Sequence, residues 1–330
     1  MQPVLYAHIQ KSPDEKALTY LTNQLDSHVS LSFGDTITDD DKVNILVSGR
    51  PTQSEIERFP NLKTVIIPWA GVSQETFSLL KKKPHIAIHN LHHNAVPVAE
   101  YALALMLSSS KSLMPMDRAL RQSDWRPRYQ PGTALLLSEK TALILGYGHI
   151  GRLIGAYIHA FNMHIMATRN SINFGQIQDN VNVYPSDKLH NLLPKTDYLI
   201  IALPHTERTE GMIGKKELAL LPRHAVIVNI GRGAIIDQQA LYFALRNHTI
   251  GAAGIDVWYN YPKDDLSKSN TKPAKYPFHE LDNIVMSPHR AGGLNTDDTE
   301  RLRMAHLAVL LNAAAKGEEI SNRVDPLKGY

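Results

Sequence analysis

Short apolar runs recur along this chain with helical stretches between them, an alternation that admits few folds other than parallel sheets wrapped by helices. In the first third, Val4–Ala7, Val43–Val47, Thr64–Ile67 and Ile86–Ile88 read as buried strands. A second series begins at Thr141–Leu145 and continues at His164–Ala167, Tyr198–Ala202, Ala225–Asn229, Gly251–Ile255 and Ile284–Met286. Between the two lies a long helix from about Val96 to Leu113, which carries more apolar surface than one face can hide. A final amphipathic helix runs from about Asn295 through Leu302, Met304, Leu307, Leu310 and Leu311, and the polar, two-proline stretch Tyr261–Tyr276 reads as a surface loop. At 330 residues there is material for two α/β domains, each with its own core.

Composition removes several classes of function. With 35 basic residues scattered among 32 acidic ones and a net charge of +3, no face is marked for nucleic acid; Lys81–Lys83 reads as a solvated helix end. The absence of cysteine excludes disulfides, thiolate nucleophiles and cysteine metal sites. The His92–His93 pair has no ligand partner at a recognisable spacing, so no metal is expected. Met1–Leu5 lacks a basic segment leading into an apolar one, and no apolar run reaches the roughly 18 residues of a membrane helix. The expectation is a cytoplasmic protein without a membrane partner.

Gly146-Tyr147-Gly148-His149-Ile150-Gly151 follows an apolar strand and opens a helical pattern, the context that a G-x-G-x-x-G dinucleotide motif requires. Gly146 suits the tight turn, Gly148 the approach of a pyrophosphate, and Gly151 the packing of helix on strand. The helix N-terminus then faces the phosphates. The next strand of an NAD-binding domain ordinarily ends in an acid that holds the ribose 2′-hydroxyl, about 20 residues on. Here it ends Arg169-Asn170-Ser171, with Arg169 standing 18 residues after Gly151. A guanidinium there suits a 2′-phosphate, with Asn170 and Ser171 as further donors, and the expected cofactor is NADP in preference to NAD. The alternative is a solvent-facing arginine in an NAD protein without the acid.

Four further segments, in order, make a more specific pattern. Asn229-Ile230-Gly231-Arg232-Gly233-Ala234-Ile235-Ile236-Asp237, Ile255-Asp256-Val257-Trp258, Ser287-Pro288-His289-Arg290-Ala291-Gly292 and Leu203-Pro204-His205-Thr206 with Thr209 resemble the signatures of the D-isomer-specific 2-hydroxyacid dehydrogenases, a family that includes glyoxylate/hydroxypyruvate reductases and is related to formate dehydrogenases. Ala70-Gly71-Val72, Ala99–Ala104 and Trp125 are similar to further parts of that family, so the resemblance spans essentially the whole chain. It implies two Rossmann-like domains with parallel sheets. The substrate domain would be discontinuous, residues 1–100 completed by the C-terminal helix in 293–330, and the nucleotide domain would be residues 101–292. It also implies a homodimer, a small 2-oxo or 2-hydroxy acid as substrate, and backbone N–H groups of Ala70, Gly71 and Val72 around the substrate carboxylate. Cofactor contacts would fall at His149, Ile150, Leu203, Pro204, Thr209, Ile230, Asp256 and His289, with Asp256 on the nicotinamide carboxamide.

The chemistry supplies reasons for two of these residues. Hydride transfer to a 2-oxo acid builds negative charge on the carbonyl oxygen, and the planar fork of Arg232 can serve that oxygen and the carboxylate together. The resulting alkoxide needs a proton, which His289 can give and take near neutrality. The bland alternatives are a surface arginine, a loop histidine and, for Asp256, a strand-end cap.

One position departs from the family. Tyr261, before Pro262, stands where a glutamate usually pairs with the histidine. Losing that carboxylate removes a charge that raises the histidine pKa. Three readings stay open: Asp264 or Asp265 folds back to replace the acid; the partner is neutral, as the glutamine of formate dehydrogenases is, whose substrate-binding asparagine Asn94 also resembles; or catalysis is lost and a dinucleotide-binding protein remains.

Overall fold

A computed structural model of the chain describes residues 4–37, 39–132, 134–172, 175–293 and 296–325. It divides into two compact units, residues 1–94 with 293–330, and residues 95–292.

In the first unit, strands β1 (Leu5–Ile9), β2 (Val29–Phe33), β3 (Ile45–Val47), β4 (Thr64–Ile67) and β5 (Ala87–Asn90) form a parallel sheet in the order β2-β1-β3-β4-β5. Helices α1 (Glu15–Thr22), α2 (Gln53–Arg58) and α3 (Gln74–Leu80) connect them. Each begins at a polar residue whose side chain accepts an early N–H, respectively Asp14, Thr52 and Ser73. Successive side chains of a strand face opposite ways, so the sheet feeds two cores. Ala7, Ile9, Ile45, Val47 and Ile66 pack on one side, and Leu46, Val65, Ile67 and Ile88 on the other.

The second unit opens with α4 (Ala95–Ser110) and α5 (Leu113–Arg121). The helix expected from about Val96 to Leu113 forms as α4 but ends at Ser110, because Ser112 adopts a left-handed conformation, φ 51°, before α5 begins. Strands β6 (Thr141–Leu145), β7 (His164–Thr168), β8 (Gln176–Gln178), β9 (Val181–Tyr184), β10 (Tyr198–Ile201), β11 (Val226–Asn229), β12 (Ala252–Ile255) and β13 (Ile284–Met286) follow, with helices α6 (His149–His159), α7 (Leu189–Leu192), α8 (Lys215–Leu220) and α9 (Gln238–Arg246). The order is β13-β12-β11-β10-β6-β7-β9-β8, parallel except for β8 against β9. Chain direction across the sheet reverses between β6 and β10, and ligands of doubly wound sheets bind at the carboxyl edge of such a switch point. Leu143, Leu145, Leu199, Ile201 and Ile227 enter one core while Ala142, Ile144, Ile200, Val226 and Val228 enter the other. Burial on both faces is why these strands read as unbroken apolar runs.

The chain then returns to the first unit as α10 (Asp297–Ala315), capped by Thr296; its expected start at Asn295 lies outside the described residues. No helix among the described residues is long and apolar enough to cross a membrane.

Candidate active site

The Gly146–Gly151 turn joins β6 to α6 at the switch point. Gly146 has φ +96°, and a Cβ there would lie 2.8 Å from Ala202 O at the end of β10. A Cβ on Gly151 would come within 2.1 Å of Gly146 O, so this glycine sets how closely the helix meets the strand. Gly148 differs: a Cβ there meets nothing within 4 Å. Protein packing does not account for it, whereas a ligand approaching its backbone would. Gly148 is also the N-cap of α6 and supplies no side-chain cap; His149 and Ile150 form the first turn of that helix, whose N-terminus carries the positive end of its dipole.

Arg169 follows β7, half-buried, its N–H donating to Tyr184 O at 3.0 Å. Its guanidinium has no ion pair or hydrogen bond among the described residues, while Asn170 and Ser171 beside it are exposed. Across the switch point the loop after β10 is braced internally by buried Thr209. Its Oγ1 accepts the Thr206 N–H at 2.8 Å and donates to Pro204 O at 2.7 Å, leaving Leu203 and Pro204 at the surface end of the strand. These groups fit a dinucleotide with an added phosphate on its ribose.

The turn after β11 presents Arg232. Asn229 laces it, Oδ1 accepting the Gly231 N–H at 3.0 Å and Nδ2 donating to Arg232 O at 3.1 Å. Ile230 is buried beside it, and a Cβ on Gly233 would collide with Trp258 O at 2.4 Å, so the turn sits flush against the end of β12. Arg232 is exposed, its Nη1 donating to Gly231 O at 2.7 Å, and desolvation draws its pKa down.

His289 lies beyond β13 with φ 60°, a left-handed conformation that a non-glycine residue holds only when its surroundings impose it. Asp256 imposes it. The carboxylate is fully buried at the end of β12 and accepts hydrogen bonds from Ser287 Oγ, from Arg290 N–H at 2.8 Å and from Ala291 N–H at 3.1 Å, spanning His289 on both sides. Trp258 Nε1 adds a bond to Ser287 O at 2.8 Å. These contacts are the ones that the strand-end-cap reading of Asp256 expects, and they use three of the carboxylate's roughly four acceptor positions. The signal was available in the spacing of Asp256 and Ser287 only once strand order had placed β12 beside β13.

Tyr261 stacks obliquely on His289, ring centroids 5.5 Å apart and planes at 55°, and its hydroxyl oxygen accepts the Trp258 N–H at 3.1 Å. Asp264 instead closes its own turn, accepting the Ser267 N–H at 2.8 Å, and exposed Asp265 pairs with Lys268. Neither is the replacement acid. Burial first, and then the Arg232 charge, lower the His289 pKa from its ordinary 6.5 despite the opposing pull of Asp256.

In the first unit the Ala70–Val72 turn follows β4. The N–H groups of Ala70, Gly71 and Val72 donate to no acceptor among the described residues, as an anion-binding turn requires. Asn94 ends the segment after β5 with its Oδ1 buried and unpartnered.

Residues 103–291, more than half of the chain, match the family model described as D-isomer specific 2-hydroxyacid dehydrogenase, NAD binding domain. The chain is 27% identical over 290 residues to D-3-phosphoglycerate dehydrogenase of Methanocaldococcus jannaschii, a match covering 88% of this chain but only 52% of that one, about half its length. It is 28% identical over 326 residues to glyoxylate/hydroxypyruvate reductase B of Yersinia enterocolitica, covering 93% of this chain and 94% of that one. A solved D-isomer specific 2-hydroxyacid dehydrogenase from Xanthobacter autotrophicus Py2, in complex with NADPH and MES, has the same fold, with a TM-score of 0.80 at 22% identity over the whole of both chains. The family model ends at Ala291, two residues after His289, and so contains the glycine turn and the loops that carry Arg232 and His289; the chain belongs to the D-isomer specific 2-hydroxyacid dehydrogenase family.

Proposed function

We propose that this chain is an NADPH-preferring reductase that interconverts a 2-oxo acid and a D-2-hydroxy acid. The observation that carries the reading is the frame around Asp256 and Asn229, which holds Arg232 and His289 rigidly beside a nucleotide turn built for an anion. When bound, the reduced nicotinamide supplies the hydride. The chain's own part is binding and proton transfer. The free N–H groups of Ala70–Val72 take the substrate carboxylate. Arg232 places a fixed cation against the oxygen on which charge develops. His289 protonates that oxygen in reduction and accepts the proton in the reverse direction. Arg169 answers the 2′-phosphate, and the lack of a competing partner for its guanidinium among the described residues favours that role over the solvent-facing one. The first unit is thus the substrate domain and the second the nucleotide domain.

With Tyr261 beside it and no replacing carboxylate among the described residues, burial and the Arg232 charge lower the His289 pKa, which moves the pH dependence of reduction toward acid. The same neutral partner supports a second reading, oxidation of a hydride donor with no hydroxyl proton to remove, as with formate. Homodimerisation is part of the proposal: Leu113, Met114, Met116 and Leu120 on α5, with Trp125 and Tyr129 after it, stand exposed together and would be covered by a second copy.

The test follows loss of reduced-nicotinamide absorbance with NADPH or NADH against glyoxylate, hydroxypyruvate, pyruvate and bulkier 2-oxo acids. Turnover that is faster with NADPH supports the reading. Tight NADPH binding with no turnover of any acid, but formate oxidation with NADP, would transfer it to the second.

A further inference from the structure

At the amino edge of the second unit's sheet, the end away from the glycine turn, a cavity of about 570 Å³ opens. The first residues of three neighbouring strands line it: Val226 of β11, Ala252 of β12 and Ile284 of β13. Leu245 and Ile250 add apolar surface, and the C-terminal end of α4 with Pro115 of α5 completes the enclosure. Protein interiors keep few voids larger than a water molecule, whereas this size and apolar lining are usual for a small-molecule site. Two polar features of the lining are left unmatched by the fold. Ser109, on α4, is 6% exposed and its Oγ makes no hydrogen bond among the described residues. A helical serine can bond the carbonyl one turn back, as Ser110 Oγ does by donating to Met106 O at 2.6 Å, but Ser109 leaves that option unused. A Cβ on Gly254 would stand 3.0 Å from Ser109 Oγ, so this hydroxyl lies against β12, two residues in from the strand's amino end. At the rim, Arg223 Nε donates to His248 O at 2.9 Å and ties the loop before β11 to the loop after α9. Arg246, exposed in the last turn of α9, has no ion pair or side-chain hydrogen bond among the described residues. Of the carboxylates on the lining, Asp282 pairs with Arg118 at 3.1 Å, which leaves Glu280.

We infer that this cavity is a second ligand site, separate from the dinucleotide's, and that it takes a monocarboxylic acid with a bulky apolar body and a hydroxyl at the end away from the carboxylate. The apolar body covers the strand ends. Its carboxylate meets the rim, where two guanidinium groups, Arg223 and Arg246, stand against the one unpaired carboxylate of Glu280 and leave a single positive charge over. Its hydroxyl both donates and accepts, and so satisfies Ser109 Oγ whichever way that hydroxyl turns. A phosphate monoester carries more charge than the rim can offset and would face Glu280; a plain hydrocarbon acid would leave Ser109 unmet. The glycine turn follows β6 at the carboxyl edge of the same sheet, so this acid and the dinucleotide occupy opposite ends of the strands and bind together. The site does not depend on which substrate the reductase reading assigns.

The probe is 6-hydroxy-2-naphthoate, titrated by calorimetry into protein already saturated with NADPH. It should bind once per chain, about tenfold more tightly than 2-naphthoate, which lacks the hydroxyl, and about tenfold more tightly than 2-naphthol, which lacks the carboxylate. Arg246→Met should abolish the preference over 2-naphthol and keep the preference over 2-naphthoate. Ser109→Ala, which removes only the buried hydroxyl, should do the reverse. NADPH affinity and thermal melting identify folded variants. Absence of binding to the NADPH-loaded wild type, displacement of the probe by NADPH, or tighter binding of 2-naphthyl phosphate than of 2-naphthoate would overturn the assignment. So would preferences that stay unchanged in both folded variants.

Discussion

Replacing Tyr261 by glutamate should shift the pH dependence of reduction upward by roughly 0.5 to 2 units. The Tyr261 ring lies 5.5 Å from the His289 ring, and a carboxylate in its place would stand at about that distance. A unit charge pair at this separation interacts by about 0.75 kcal/mol in bulk water and about 3 kcal/mol at the effective dielectric of a protein surface, and 1.36 kcal/mol moves a pKa by about one unit. The sign follows from the reaction. Reduction uses the imidazolium, so its rate falls as pH rises through the His289 pKa, which desolvation and Arg232 hold below 6.5 in the wild type. A carboxylate stabilises the imidazolium, raises that pKa and carries the falling limb to higher pH. The assay is kcat/KM for the 2-oxo acid at saturating NADPH from about pH 5 to 9, which reports ionisation before the acid binds. Tyr261→Gln is the control, with the same length and no charge, and its limb should stay where the wild type's is. If Tyr261→Glu is folded, binds NADPH and leaves the limb unmoved, His289 is not the group whose proton limits the reaction.

Arg169→Asp should lower the ratio of NADPH to NADH affinity by about tenfold or more, measured by fluorescence titration, since the charge-assisted contact to the 2′-phosphate becomes a repulsion. Gly148→Ala should melt within about 2 °C of the wild type while weakening NADPH, because its Cβ meets no protein atom; Gly151→Ala should lose both, with its Cβ 2.1 Å from Gly146 O. Asp256→Ala strips partners from Ser287, Arg290 and Ala291, and should destabilise the fold by about 2–4 kcal/mol in urea unfolding while lowering kcat by more than it weakens NADPH. Leu113→Asp with Tyr129→Ser should give a monomer by light scattering if the exposed face beyond α4 meets a second copy.

Strands buried on both faces were legible because their sequence is uniformly apolar, as at Leu143–Leu145 and Ile227–Val228. β2 and β9 were not. Their sequences, Val29–Phe33 and Val181–Tyr184, alternate apolar with polar residues because they lie toward the edges of their sheets, and short alternating runs look like loops. The break at Ser112 was hidden for a different reason: α5 continues the apolar pattern of α4, so periodicity runs straight through a residue whose backbone has reversed. Asn229, Ser287 and Trp258 act on the site through hydrogen bonds to backbone groups of other residues, and no motif of chemistry marks such braces.

The sequence by itself determined the α/β alternation, the nucleotide turn, and the identities of Arg232, His289 and the unusual Tyr261, because each is a local pattern or a chemical type that no folding can alter. Tertiary structure decided which neighbours those side chains keep. Strand order put Asp256 beside the His289 segment and the folded loop set Tyr261 against the histidine ring, while local turns held Asp264 and Asp265 to residues three positions on. A pKa and a hydrogen-bonding demand belong to an environment rather than to a residue, and that environment exists only once the chain has closed on itself.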